Sequence, residues 1–206
     1  METSIWKQGR VEAGEVETDF LGDVVRVRLL KHALTMYDAN QRAGTHSTKR
    51  RGDLHYRRRA LFKQKGTGRA RVRHASATQC RHGAIPMGPR PRDYSYQMPR
   101  RAKVEALRSA LLSKFRDGEV AVAHGLSFPE PKTKSLRSIL DSLGFVRSCL
   151  LVTHDASVNC LKSAANLRDV TVVRACDLNA WNLLRHRNVL ITDEALAQIR
   201  EKTHES

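Results

Sequence analysis

An α/β fold, with a mainly parallel sheet flanked by helices and one long extended basic loop inside the chain, is predicted by three observations. Short apolar runs alternate with helical stretches through the second half of the sequence. The runs are apolar at nearly every position, as strands must be when helices cover both faces of their sheet. The whole charge excess is confined to one internal segment. Strands alternating with helices over short connections specify parallel neighbours, because a parallel pair needs a crossover between its members.

In chain order, residues from Ile5 to Val16 form a weak strand candidate. Between Asp23 and Gln41, Val24, Val27, Leu30, Leu34 and Tyr37 recur at three- and four-residue steps, which predicts an amphipathic helix capped by Asp23. The alternation in VVRVRLL leaves a strand open as the other reading. Ala102 to Phe115 places Leu107, Ala110, Leu111 and Leu112 on one helical stripe that stops before Gly118. Strands are then expected at Glu119 to Ala123, Cys149 to Thr153, Asp169 to Val173 and Asn188 to Thr192. Helices fall between and after them at Lys132 to Leu143, Ser157 to Leu167, Leu178 to Leu184 and Asp193 to Lys202. Periodicity does not order the strands within the sheet.

The 206 residues carry 37 Lys and Arg against 21 Asp and Glu, a formal charge of +16. From Arg42 to Lys103 stand 18 of those cations and two acids, Asp53 and Asp93, so this segment alone holds +16 and the remainder is neutral. Leu, Ile, Val and Phe supply only Leu54, Leu61, Phe62, Val72 and Ile85 there, about 8% where a globular domain needs more than roughly 20%. The segment cannot build a core of its own. Its six glycines, with Pro86, Pro89, Pro91 and Pro99, oppose regular structure. Closing a loop of about 60 residues costs only about 3.6 kcal/mol, so a host domain of residues 1–43 and 104–206 tolerates a loop at 44–103. Fixing its conformation costs far more, which predicts disorder in isolation and order only within a partner that supplies burial and stacking as well as charge.

That charge points to a polyanion. In an extended chain Arg69, Arg71 and Arg73 project to one side, spaced for successive phosphates. Gly66 and Gly68 permit close backbone approach and positive φ. Tyr56, Tyr94 and Tyr96, interleaved with Arg90, Arg92 and Arg100, offer faces for stacking on unpaired bases. A bare charge run is also what a linker or a localisation signal shows, and composition does not separate RNA from DNA.

No stretch reaches the roughly 18 apolar residues of a membrane span, and Met1 to Phe20 is acidic and lacks a signal peptide's apolar core, so a cytoplasmic protein is expected. Cys80, Cys149, Cys160 and Cys176 are scattered without C-x-x-C spacing, which argues against zinc and against a disulfide framework. His124, His154 and His186 are isolated, and neither metal nor cofactor is expected. For catalysis the best candidates are Thr153, His154 and Asp155, at the carboxyl end of a strand where α/β folds place ligands. No phosphate-binding loop, dinucleotide fingerprint or nucleophile elbow accompanies them, so no enzyme and no small-molecule substrate is expected.

The run QKGTGRAR from Gln64, continuing to Arg73, then GPRPRDYSYQMPRR from Gly88 to Arg101 and ALRSALLSK from Ala106 to Lys114, resembles the family of the fourth protein of the bacterial large ribosomal subunit. QRAGTHSTK from Gln41, EPKTKSL from Glu130 and AANLRDV from Ala164 extend the resemblance over nearly the whole chain from about Leu21. It implies a structural constituent of that subunit: an α/β domain on the outer face, and an internal loop threading through large-subunit ribosomal RNA to the peptide exit tunnel.

Carried onto this chain, the resemblance implies RNA contacts by Lys49, Arg50, Arg51, Arg57, Arg58 and Arg59 on one leg of the loop. Lys63, Gln64, Lys65, Gly66, Thr67, Gly68, Arg69, Arg71 and Arg73 follow around the tip, with Gln64 to Thr67 lining the tunnel near the nascent peptide. Arg81, Arg90, Arg92, Tyr94, Tyr96, Arg100, Arg101 and Lys103 complete the set on the return. Neighbouring large-subunit proteins are further implied partners. Where the family has a glycine-rich stretch ending Lys-Pro-Trp, this chain has GDLHYRRRALF from Gly52, and after the motif Arg81, His82, Gly83 and Met87 replace a glycine triplet and a Phe. Some members repress their own operon, which keeps a regulatory side role, or a free messenger-RNA regulator, as the alternative.

Overall fold

A computed structural model describes residues 1–7, 9–56, 59–126, 130–145, 147–155 and 158–204. The chain packs as two units, one of residues 1–38 with 96–206 and the other of residues 39–95.

The first unit is a six-stranded sheet with helices on both faces. Its strands are β1 (Glu2–Lys7), β2 (Arg10–Glu15), β3 (Val120–His124), β4 (Cys149–Thr153), β5 (Val170–Arg174) and β6 (Asn188–Thr192). Its helices are α1 (Val27–Gln41), α2 (Arg100–Arg116), α3 (Thr133–Ser142), α4 (Val158–Ala165), α5 (Ala180–Arg185) and α6 (Asp193–His204). The strand order is β2-β1-β3-β6-β4-β5, with every pair parallel except β1 with β2. The mainly parallel α/β class read from the alternation of elements is the observed one.

Strand side chains sort to opposite faces with period two. Val120, Val122, Leu150, Val152, Val189 and Ile191 join one apolar layer with Leu107, Leu111, Leu183 and Ile199. Ala121, Ala123, Cys149, Leu151 and Leu190 join the other, with Leu136, Leu140, Cys160 and Ala164 from α3 and α4. Two buried layers explain why the central strands read as continuous apolar runs. Lys114, at the end of α2, is buried too, and its ammonium donates to Glu119 Oε2 at 2.5 Å and to the Arg187 carbonyl at 2.8 Å. Both partners are needed, since an unpaired buried charge is strongly destabilising.

Several boundaries differ from those read in the sequence. The weak strand of Ile5 to Val16 is an antiparallel hairpin, with Lys7 opposite Arg10 and Gly9 at φ +91°. Helix α1 begins at Val27 rather than at Asp23, and the strand reading of VVRVRLL is not realised. Asp23 caps nothing in α1: its carbonyl accepts from the Arg116 guanidinium at 2.5 Å, and Val24 and Val27 stay exposed. The apolar period therefore overran the real face, which buries Leu30, Ala33 and Met36. Helix α5 starts two residues later than expected because the Asn179 side chain accepts from the Asn182 N–H at 2.8 Å, capping the helix there. Ser157, the expected first residue of α4, lies outside the described residues. Residues 96–103, counted with the basic segment by composition, belong to the first unit, because Pro99 starts α2 at Arg100.

Candidate nucleic-acid interface

Residues 39–95 show how a core-less sequence folds when it has only its backbone and its cations to use. Among its described residues, only Ser76 and Ala84 are buried, and none is helical or in a strand beyond the last turn of α1. Two legs run side by side, tied by isolated backbone bonds. The Arg92 N–H donates to the Gly44 carbonyl, Thr48 to Pro89, Ile85 to Lys49 and Leu61 to Arg73, each at 3.2 Å. Glycines on both legs, with Pro86, Pro89 and Pro91 on the return leg, prevent the regular ladder that would close a sheet.

At the foot of the legs one aromatic ring organises the charge. The guanidinium carbons of Arg42 and Arg92 lie 3.8 and 4.3 Å from the Tyr94 ring centroid, and the Tyr94 hydroxyl is 3.0 Å from His46 Nε2. Gly44 makes this approach possible. It sits at φ +64°, and a Cβ there would collide with the Arg92 carbonyl oxygen and crowd the Tyr94 ring. The Tyr94 ring, read in the sequence as a face for stacking on bases, carries two of the chain's own cations here. Arg42 and His46 were not singled out by sequence, since nothing local to them announces a partner on the opposite leg.

Farther along, Arg51 meets the His74 ring, whose Nδ1 lies 3.0 Å from the hydroxyl of buried Ser76. The Tyr56 hydroxyl donates to the His82 carbonyl at 3.5 Å, and Arg51, Tyr56, His74 and Ser76 help line a cavity of about 600 Å³. At the tip, Lys63, Gln64, Lys65, Gly66, Thr67, Gly68, Arg69, Arg71 and Arg73 are all exposed, with Gly66 at φ +78° and Gly68 at φ +62°. No neighbour lies within 4 Å of a Cβ built on either glycine, so backbone conformation and not space requires them. Val72 is half-buried between exposed Arg71 and Arg73, while Ala70, between Arg69 and Arg71, is exposed. Lys49, Arg59, Arg81, Arg90 and Arg92 are also exposed and Arg50 is half-buried, while Arg57 and Arg58 lie outside the described residues. Arg100, Arg101 and Lys103 stand in the first turn of α2, and Tyr96 just ahead of it, all in the first unit.

The two acids of the basic segment neutralise nothing. Asp53 accepts from the Arg50 backbone N–H at 2.9 Å, and Asp93 accepts from the Ser95 N–H and hydroxyl at 2.8 Å each. The Ser95 N–H, then its hydroxyl, hold the Asp93 carboxyl below its ordinary range. Both carboxylates build turns. Among the described residues, no Lys or Arg from 42 to 103 is ion-paired, whereas the first unit pairs Arg26 with Glu105, Lys114 with Glu119, Arg174 with Asp177 and Arg200 with Glu17. A surface of cations without counter-charges is suited to phosphate.

Among the described residues, no cluster of His, Cys, Asp or Glu is disposed to hold a metal ion, and no helix is long and apolar enough to cross a membrane. Thr153, His154 and Asp155 stand at the carboxyl end of β4 beside a cavity of about 590 Å³, with His154 Nδ1 3.4 Å from Asp155 Oδ2. That arrangement brings an imidazole to a carboxylate without setting a nucleophile against a base.

The sequence matches the ribosomal protein L4/L1 family over residues 14–202. Among its relatives, the large ribosomal subunit protein uL4 of Solibacter usitatus is 39% identical over 191 residues, covering 93% of this chain and 92% of the relative. That of Desulforudis audaxviator is 40% identical over 192 residues, covering 92% and 93%. That of Carboxydothermus hydrogenoformans is 37% identical over 199 residues, covering 96% and 97%.

Proposed function

The chain belongs to the ribosomal protein L4/L1 family and is a structural constituent of the large ribosomal subunit, not an enzyme; from that premise we propose that residues 39–95 bind large-subunit ribosomal RNA. The observation that carries this reading is the row of cations from Lys49 to Arg92, none of them ion-paired among the described residues, on a segment whose two acids are spent on turns. The family's expected contact residues keep their parts: the exposed cations of both legs and the tip meet phosphates, and Tyr94 holds Arg42 and Arg92 ready to do so. RNA supplies the burial that the segment lacks, so beyond the Tyr94 cluster at its foot its rigidity comes with assembly. The tip, Gln64 to Thr67, lines the exit tunnel beside the nascent peptide, and the protein works in the cytoplasm, within the ribosome.

Two measurements test this. In a sucrose gradient the protein sediments with the large subunit; recovery only among free proteins would refute the assignment. With about nine phosphates neutralised, affinity for large-subunit RNA falls with the logarithm of salt at a slope of roughly −6 to −8. A slope near zero would exclude a phosphate-led interface.

A further inference from the structure

The first unit carries a second site that RNA binding does not use. At the carboxyl ends of β3, β4 and β6, the crevice position where open α/β sheets take ligands, lies the cavity of about 590 Å³ beside Thr153. An adjoining depression of about 330 Å³ shares His154 and Glu194 with it and adds Gln198 and Glu201. Ala123, Leu126 and Cys160 give the cavity an apolar wall. Asp155, Asp193, Glu194 and Glu201 surround the two depressions.

Two features set these residues apart from an ordinary acidic surface. Thr153 is only 7% exposed, yet its Oγ1 has no hydrogen-bond partner, and the buried Oε1 of Gln198 has none either. Asp193 and Asp155 are paired only with the Nδ1 atoms of His124 and His154. Among the described residues, no Lys or Arg lies within ion-pair distance of the four carboxylates, although Asp155 feels the charge of Arg174, whose own partner is Asp177. A hydroxyl and an amide oxygen left unsatisfied beside carboxylates that hold no Lys or Arg at ion-pair distance call for a hydrogen-bond donor that carries positive charge.

A constituent of the large subunit is surrounded by RNA and by other proteins, and phosphate is repelled by this crevice. We propose that it receives lysine or arginine side chains from a basic segment of a neighbouring large-subunit protein. The methylene stem lies along Ala123, Leu126 and Cys160, while the charged head reaches the carboxylates and the Thr153 hydroxyl. The inference rests on family membership and is independent of the RNA reading, since residues 39–95 take no part in it.

The test uses the full chain, freed of RNA, titrated with acetylated hexalysine at low ionic strength and followed by calorimetry. The double variant Asp155→Asn with Glu194→Gln lowers affinity about tenfold, while Glu12→Gln with Glu15→Gln, on β2, leaves it unchanged. Thr153→Val weakens the peptide and at the same time raises Tm, because the valine no longer buries an unsatisfied hydroxyl. Equal losses in the two double variants would reduce the binding to general electrostatics and overturn the proposal. So would the absence of any binding, a Thr153→Val variant that binds as well as the parent, or spermidine or magnesium binding there in preference to the peptide. RNA affinity, measured alongside, stays at the parental value in all three variants, which separates this site from the RNA interface.

Discussion

The Arg42 guanidinium lies 3.8 Å from the centroid of the Tyr94 ring, joining the two legs of the basic segment at its foot. With Arg92 over the same ring, two like charges are held close together in the free protein. Their mutual repulsion is offset by the ring's quadrupole, and a phosphate arriving there finds both forks in position.

Replacing Tyr94 with alanine releases both arginines. At about 0.5 to 1 kcal/mol for each cation–π contact, RNA affinity falls roughly 5- to 30-fold, with the salt slope unchanged because the phosphate contacts remain. Tyr94→Phe keeps the ring and most of the affinity. Filter binding across a salt series checks both; an alanine variant that binds as the parent does removes Tyr94 from any organising role.

Gly44→Ala should act on the same cluster from the backbone side. The new Cβ collides with the Arg92 carbonyl oxygen at a residue already in the left-handed region, so the legs part at their foot. Amide exchange of the Arg92 N–H, which donates to the Gly44 carbonyl, accelerates in this variant. Unaltered protection would show that the close approach is not required.

Arg69, Arg71 and Arg73 are all exposed at the tip. Changing all three to alanine removes three phosphate contacts and makes the log–log salt slope shallower by about 2 to 3, weakening binding without regard to sequence. A slope that stays parental would place these arginines away from the backbone of the RNA.

The cysteines divide by burial. Burial pushes the Cys149 thiol up to about 12, against a backbone hydrogen bond from Leu190, and raises Cys160 as well, while Cys176 is exposed. At pH 8 a maleimide labels Cys176 first and reaches Cys149 and Cys160 only on unfolding, as mass spectrometry of peptides will show. Above pH 9.0 the unfolded chain loses the Cys149 proton while the folded chain keeps it to about 12. The folded state then binds more protons, so its stability falls as pH rises through that window. A denaturation midpoint that rises there would contradict the burial argument.

Much of this protein was legible locally. The periods of Leu107 to Leu112 and of the runs at Cys149 and Asn188 gave helix and strands because each depends only on which face of one element is apolar. The basic segment was equally plain, since a lack of apolar residues is a property of composition. The cap at Asn179 could have been read, whereas Asp23 was a false cap because α1 begins only at Val27, four residues beyond it.

The tertiary structure alone decided how distant pieces meet. It placed β6 between β3 and β4, put Arg42 and Arg92 on Tyr94, added Arg100 and Arg101 to the helix, and gathered Thr153, Asp193 and Gln198 around two adjoining depressions. Periodicity states which side of an element must be covered and is silent about what covers it. That choice is made when chain crossovers and packing bring non-local partners together, and only their meeting shows which polar groups are satisfied and which are left open.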